Sequence, residues 1–219
     1  MIEDQNSTAF VKDIKGDTLF NITFEEIVIQ LRGYGVLQLE PTDHCNLRCL
    51  MCKPHADQWE NIHGVPKGFL DVEVWKHIAR GLNEDKIEFD HIIFQWLGDP
   101  SLHPNLPELI RIAVKELGEQ VNYLRIDTNA ILLDRTVMDD LLLQSTQSPV
   151  PILMVFTIDA ASSDVYQKVK GGDHYQRVLK NIRYLIRERR RLGSAARLNI
   201  QFQFVVQEEN AHQVNAFLV

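Results

Sequence analysis

The sequence predicts an α/β fold: a parallel sheet of the β/α-barrel kind, whose strands alternate with helices. Two observations predict it. Five short apolar or alternating runs, at 36–40, 91–97, 121–127, 151–159 and 197–206, are each followed by a loop or a helical pattern, and such alternation builds a parallel sheet with right-handed crossovers. In the fifth run Leu198, Ile200, Phe202 and Phe204 alternate with Asn199, Gln201 and Gln203. The outer face of a β/α barrel packs on helices, so the polar set points inward. The same parity puts Gln38, Glu40, Gln95, Tyr123, Arg125, Asp127, Thr157 and Asp159 in the lumen. A lumen this polar is a site rather than a packed core, because buried polar groups need partners.

Taken in order, residues 1–34 form a segment with no assigned chemistry, in which Phe20, Ile22, Ile27, Ile29 and Leu31 suit a short strand or helix packed on the main domain. The domain begins at 35. Leu37 and Leu39 alternate with Gln38 and Glu40 in the first strand. Asp71 suits the N-cap of a helix with Val74, Trp75, Ile78 and Leu82 on one face. The second strand, 91–97, ends at Gly98-Asp99-Pro100. Asn105 and Glu108 form a capping box before the stripe Leu106, Leu109, Ile110, Ala113, Val114 and Leu117, and Gly118 suits the C-cap. The third strand ends at Thr128-Asn129-Ala130. Asp134 opens a helix through Val137, Leu141 and Leu142. After the fourth strand one long helical stretch carries Val178, Leu179, Ile182, Leu185 and Ile186 and stops at Gly193. Asn210 caps a last helix after the fifth strand.

Composition bounds the function. The 219 residues are 45% hydrophobic and 24% charged, as in ordinary globular proteins. The net charge of −7 disfavours a general nucleic-acid binder. Arg187, Arg189, Arg190 and Arg191 read as a solvated helix end that complements the macrodipole. No apolar run of about eighteen residues predicts a membrane span. All three cysteines lie in Cys45-Asn46-Leu47-Arg48-Cys49-Leu50-Met51-Cys52, a C-x-x-x-C-x-x-C loop directly after the first strand. An odd number so closely spaced suits a metal centre in a reducing cytoplasm better than disulfides.

Three soft thiolates hold a soft metal centre and leave one coordination position open. Zinc would need His44 or His55 as a fourth ligand, and zinc loops usually bring ligands in two separated pairs. An electron-transfer cluster normally takes four thiolates. A 4Fe–4S cluster with one free iron fits the count best. In β/α barrels the loop after a strand lies at the active-site end, where Gly98, Asp99, Thr128, Asn129 and Asp159 also converge.

These residues resemble the radical S-adenosylmethionine (SAM) superfamily, and the match runs over roughly residues 36–215. Glu40 to Cys52 is similar to the opening of the branch that often carries a C-terminal SPASM domain. Gly98-Asp99-Pro100 sits at the family's Gly-Glu-Pro position and Thr128-Asn129-Ala130 at its Thr-Asn-Gly position. Thr157-Ile158-Asp159-Ala160, Tyr166 and Gly171-Gly172 match the stretch after the fourth strand, and Gln203 to Asn210 the fifth-strand segment. The resemblance implies a (β/α)6 core in which Cys45, Cys49 and Cys52 hold three irons of a 4Fe–4S cluster. The free iron chelates SAM, and an electron cleaves its S–C5′ bond to a 5′-deoxyadenosyl radical that abstracts hydrogen from substrate.

The resemblance further implies a SAM pocket of Gly98, Asp99, Pro100, Thr128, Asn129, Thr157, Asp159 and Lys170. The Gly98-Asp99-Pro100 turn presents backbone carbonyls to the SAM ammonium. Thr157 and Asp159 lie where the family contacts the ribose or methionine carboxylate. Lys170, where an Arg often sits, pairs with that carboxylate or is a solvated surface lysine. Val205 and Val206 flank the adenine or are plain strand residues. Met51 stands at an often aromatic position, and His55, Trp96 and His103 lie near the mouth. Two departures, Asp99 for Glu and Ala130 for Gly, motivate an alternative, a degenerate scaffold that binds the cofactors without turnover. A zinc-binding interaction module is another. The implied partners are a reductant such as flavodoxin or ferredoxin and a peptide, protein or small-molecule substrate. Five strands are legible where the family has six, and the last helix stops at Val219. The expectation is a core, 35–219, cut from a longer protein, with the sixth strand and any SPASM domain absent.

Overall fold

The computed structural model describes residues 8–12, 18–23, 35–52 and 67–218. Strands β1 (Thr8–Lys12) and β2 (Thr18–Thr23) pair antiparallel. Phe20 and Ile22 thus fall in a strand; Ile27, Ile29, Leu31 and His55 lie outside the described residues.

The main sheet is parallel and runs in chain order: β3 (Val36–Leu39), β4 (Phe89–Phe94), β5 (Val121–Thr128), β6 (Ile152–Thr157) and β7 (Leu198–Gln203). It is an open sheet with β3 and β7 at its edges, a partial barrel. The helices are α1 (Val72–Glu84), α2 (Leu106–Leu117), α3 (Arg135–Gln147), α4 (Ser163–Lys170), α5 (Tyr175–Leu192) and α6 (Val214–Leu218). No helix among the described residues is long and apolar enough to cross a membrane.

Register decides which face is the lumen. Gln38 is level with Ile93, Ile93 with Arg125, Arg125 with Leu153, and Leu153 with Asn199. The set expected inside therefore does share one face. On the other face Ile92, Phe94, Leu124, Ile126, Ile152, Met154, Phe156 and Leu198 are buried in the core. Because the sheet is open, position on the inner face does not guarantee burial. Gln38 is exposed, and only its amide is engaged, donating to the Gln95 carbonyl (2.8 Å). Tyr123 stacks on His91 (4.5 Å between centroids) near the start of the strands, away from the strand ends.

The helices show where local signals hold. Asp71 caps α1 by accepting from Glu73 N and Val74 N. The buried face of α1, however, is Trp75 and Ala79; Val74 and Ile78 are exposed. Trp75 is fully buried, donates to the Leu109 carbonyl (3.0 Å) and meets Phe94 edge-on, so it joins α1 to α2 and β4. Its loss would cost about 3–5 kcal/mol. The expected capping box is absent: Asn105 makes no side-chain cap, and its N–H donates instead to His103 Nδ1 (3.1 Å). Glu108 pairs with Arg111.

Asp134 caps α3 through Val137 N. The expected long helix is two, α4 and α5, because Gly171 takes a left-handed conformation (φ 75°) at the end of α4. At the end of α5, Arg187 and Arg191 pair with Glu188 and Arg189 Nε donates to the Leu198 carbonyl, which fits the solvated-end reading.

Candidate active site

The cysteine loop follows β3 and is held at both sides. Thr42 makes a bridge with Phe69, and its Oγ1 donates to the Gly68 carbonyl (2.6 Å). Glu40, the next inward residue after β3, accepts from Leu97 N (2.6 Å) and Gly98 N (2.9 Å). Asp99 N donates to the His44 carbonyl, and Leu50 N to the Val169 carbonyl (both 2.9 Å). A β-carbon on Gly98 would lie 1.8 Å from the Thr42 carbonyl oxygen, so only glycine allows this close approach of β4's end to the loop.

Cys45, Cys49 and Cys52 are free thiols that line one open cavity. Seven of the eight residues expected to hold SAM line the same cavity: Gly98, Asp99, Thr128, Asn129, Thr157, Asp159 and Lys170. Pro100 does not; it is buried and opens the short turn Pro100–Leu102. Burial pushes all three thiols above their ordinary range. The Leu47 N–H partly offsets this at Cys45, and the Lys170 ammonium acts in the same lowering sense on all three.

Asp99 is 4% exposed. Its Oδ1 accepts from Ser101 N (2.9 Å), Ser101 Oγ (2.5 Å) and Thr128 Oγ1 (2.9 Å), and its Oδ2 from Asn129 N (2.7 Å). Asn129 Nδ2 in turn donates to Asn46 Oδ1 (2.8 Å). One hydrogen-bonded chain thus runs from the end of β4 through the end of β5 into the cysteine loop. Ala130 follows with φ 63° and is fully buried. The left-handed turn costs an alanine about 1–2 kcal/mol, offset in place by Thr128 Oγ1, which accepts from Ala130 N, and by Asn181, which donates to the Ala130 carbonyl.

Lys170 is buried, which corrects the surface-lysine reading. Its Nζ lies 2.8 Å from Asp159 Oδ2 and 3.4 Å from Thr157 Oγ1. Asp159 also holds a left-handed conformation (φ 58°). It is fixed from three directions: Lys170, Val205 N to Oδ1 (2.7 Å), and Asn210 Nδ2 to its carbonyl (2.9 Å). Asn210 is therefore no ordinary helix cap. It is fully buried and ties the segment after β7 to the end of β6.

Other expectations separate here. Val205 lines the cavity, as does Met51, whereas Val206 is exposed. Trp96 is 56% exposed and sits between Gln95 and Leu97, which both line the cavity, as a place near the mouth requires. His103 is buried away from the mouth; it accepts from Asn105 N at Nδ1 and so donates from Nε2 to the Leu70 carbonyl (2.8 Å). Asp127 and Gln203 line the cavity but were absent from the expected cofactor contacts, although parity had placed both inward. Arg125 grips Asp127 with two 2.7 Å hydrogen bonds. Parity had placed Glu40 inward without naming its partners Leu97 N and Gly98 N, and the bracing by Asn46 had no sequence signal.

The donor set suits a polynuclear soft-metal group with a bound organic ligand. Three thiols face one cavity, and polar strand ends surround it. Among the described residues no three Cys, His, Asp or Glu side chains are close enough to hold one metal ion. His44, a zinc-ligand candidate, stacks on Phe69 (4.8 Å).

Comparison with known proteins agrees with this geometry. The family model described as the Radical SAM superfamily matches residues 39–198. A GTP 3',8-cyclase of Chlorobaculum tepidum is 29% identical over 71% of this chain and 42% of its own length. The tungsten-containing aldehyde ferredoxin oxidoreductase cofactor-modifying protein of Pyrococcus furiosus is 30% identical over 81% of this chain and 45% of its own. The chain spans less than half the length of these curated relatives. Among solved structures, native anSMEcpe with bound AdoMet superposes with a TM-score of 0.62 at 18% identity, over 83% of this chain and 47% of that one. This likeness concerns the fold.

Proposed function

The chain belongs to the radical SAM superfamily, and from that premise we propose that Cys45, Cys49 and Cys52 hold three irons of a 4Fe–4S cluster whose fourth iron takes SAM. The family uses this cluster and SAM. When bound, the pair supplies reductive cleavage of SAM and abstraction of a hydrogen atom from substrate. The observation that carries the reading is the convergence of three free thiols and seven strand-end or helix-end residues on one cavity.

The chain's own residues have distinct tasks. The close approach at Gly98 sets its carbonyl beside the loop for the ammonium end of SAM. Thr128 and Asn129, fixed by Asp99, shape the adjoining wall. Lys170 and Thr157 address the carboxylate or ribose, with Asp159 holding the ammonium in place until an anionic group arrives. Val205 gives an apolar wall for the adenine. Leu47 and Leu97 limit water at the thiols.

We assign the core to 35–219, with 1–34 a separate segment, and place the chain in the SPASM-associated branch. The run from Glu40 to Cys52 supports that placement. A flavodoxin or ferredoxin would supply the electron. Three free thiols fit the reducing cytoplasm. The substrate is a peptide, protein or small molecule; the net charge of −7 disfavours nucleic acid. The test is turnover. Anaerobically reconstituted, reduced protein should convert SAM to 5′-deoxyadenosine and methionine, and Cys49→Ala should lose both iron and product. A fully loaded wild type that forms no 5′-deoxyadenosine contradicts the enzyme reading and favours the degenerate scaffold.

A further inference from the structure

Three polar side chains line the cavity of the cysteines and have no part in the SAM reading: Gln95 after β4, Asp127 on β5 and Gln203 on β7. Register places them. Asp127 is level with Val155, and Gln203 with Thr157. Continuing the pairing of Ile93 with Arg125 by two residues sets Gln95 level with Asp127. Gln95 and Asp127 thus stand one inward step below the row of Thr157 and Gln203, deeper in the lumen than the proposed cofactor contacts. The next row down is apolar at Ile93 and Leu153 and carries Arg125 between them.

Asp127 is 8% exposed, so its charge needs a partner, and the Arg125 guanidinium supplies it through two 2.7 Å hydrogen bonds. That fork takes two of about four lone-pair sites on the carboxylate. No other donor meets Asp127 among the described residues, so acceptor capacity is left at the cavity. Gln95 Nε2 donates to the Trp96 carbonyl, which leaves Oε1 as an acceptor. The Gln203 side chain makes no hydrogen bond among the described residues and offers both a donor and an acceptor.

This set selects by charge and by the sense of its hydrogen bonds. A ligand anion would face acceptors and a carboxylate. A ligand cation would shed water against an ion pair of no net charge, with little Coulombic gain. Uncharged donors fit. A hydroxyl fits best, because it donates to Asp127 or Gln95 and also accepts from Gln203, whereas an amide N–H only donates. Neighbouring strands lie about 4.8 Å apart, and β5 and β7 about twice that. Hydroxyls spread around a six-membered ring span such a frame.

We propose that Gln95, Asp127 and Gln203 form the substrate subsite and that it takes an uncharged cyclic polyol. The inference deepens the proposed function and rests on it.

The experiment titrates the reconstituted full chain, with SAM present, with myo-inositol, followed by saturation-transfer nuclear magnetic resonance of the polyol. Binding should saturate. Asp127→Asn should weaken it about tenfold or more, and Gln203→Leu about threefold to tenfold. Gln203→Leu leaves the Arg125–Asp127 pair intact, so it decides the matter if Asp127→Asn does not fold. Cyclohexanecarboxylate and cyclohexylamine, charged rings of similar size, should not displace the polyol. Three outcomes overturn the proposal: no saturable binding by wild type, unchanged binding by a Gln203→Leu variant that melts like wild type, or displacement by either charged ring. A wild type that forms 5′-deoxyadenosine but binds no polyol removes this inference alone. One that binds the polyol as expected but forms no 5′-deoxyadenosine removes the radical reading, on which the subsite's role as a substrate site depends.

Discussion

Asp99 and Asp159 are both carboxylates within a few per cent of complete burial, and both line the same cavity. Asp99, at the end of β4, is met by neutral donors alone: a backbone N–H and a hydroxyl from Ser101, the Thr128 hydroxyl and the Asn129 N–H. Asp159, after β6, is met by an ammonium, Lys170, and by one backbone N–H, in a left-handed conformation that Asn210 helps to hold. The first arrangement shares the charge among several partners and joins two strand ends to the cysteine loop. The second concentrates it in one pair. The contrast separates a brace from a buried charge pair: the β4–β5 side fixes geometry, and the β6–α4 side keeps an ammonium at the cavity, the one that the proposed function offers to an anionic group of SAM.

The largest expected effect comes from breaking the concentrated side. Lys170→Met leaves Asp159 buried without its counter-ion, a loss of about 3–5 kcal/mol, which lowers the thermal midpoint by on the order of 10 °C in a chain of this size. Adding Asp159→Asn should recover much of that loss, because the orphaned charge goes. If the single variant melts like wild type, the pair is not buried as described. The neutral side should respond less. Asp99→Asn keeps the shape but turns one acceptor into a donor, which costs about 1–3 kcal/mol. It should also speed hydrogen exchange at Asn129 N, which mass spectrometry can read; unchanged protection there would break the account of Asp99 as the brace.

The smallest effect lies below the brace, at His103. Burial holds its pKa below the ordinary value, against a weaker opposite pull from the Leu70 carbonyl. The folded state thus prefers the neutral ring, so the unfolded chain binds the proton first as pH falls. The contribution is complete above the unfolded value, near 6.5, and is lost as pH falls from there through the folded value. Thermal midpoints measured across this window should fall toward acid less steeply in His103→Gln than in wild type.

Much of this contrast is absent from local sequence. The strand order, the inward parity and the cysteine loop were legible because alternation in β7 and three cysteines in eight residues are short-range signals. The strand ends Gly98, Thr128 and Asp159 were legible as punctuation. The burial of Lys170 was not, since a lysine on an amphipathic helix reads as solvated until Asp159 arrives from across the β6 loop. Asn210 looked like a helix cap because asparagine before a helix usually is one; its Nδ2 instead donates to carbonyls 5 and 51 residues away. Val74 and Ile78 misled for the opposite reason. Their spacing marks a stripe, but Trp75 fills the space against Leu109 and Phe94 and turns the helix about its axis.

The central claim is that three cysteines leave one iron free for SAM. Its most direct measurement is electron–nuclear double resonance on the reduced, reconstituted protein with SAM labelled with 15N at the amino group. The account predicts a 15N coupling to the cluster that disappears when unlabelled SAM is substituted. A reduced cluster with SAM present and no such coupling would contradict it.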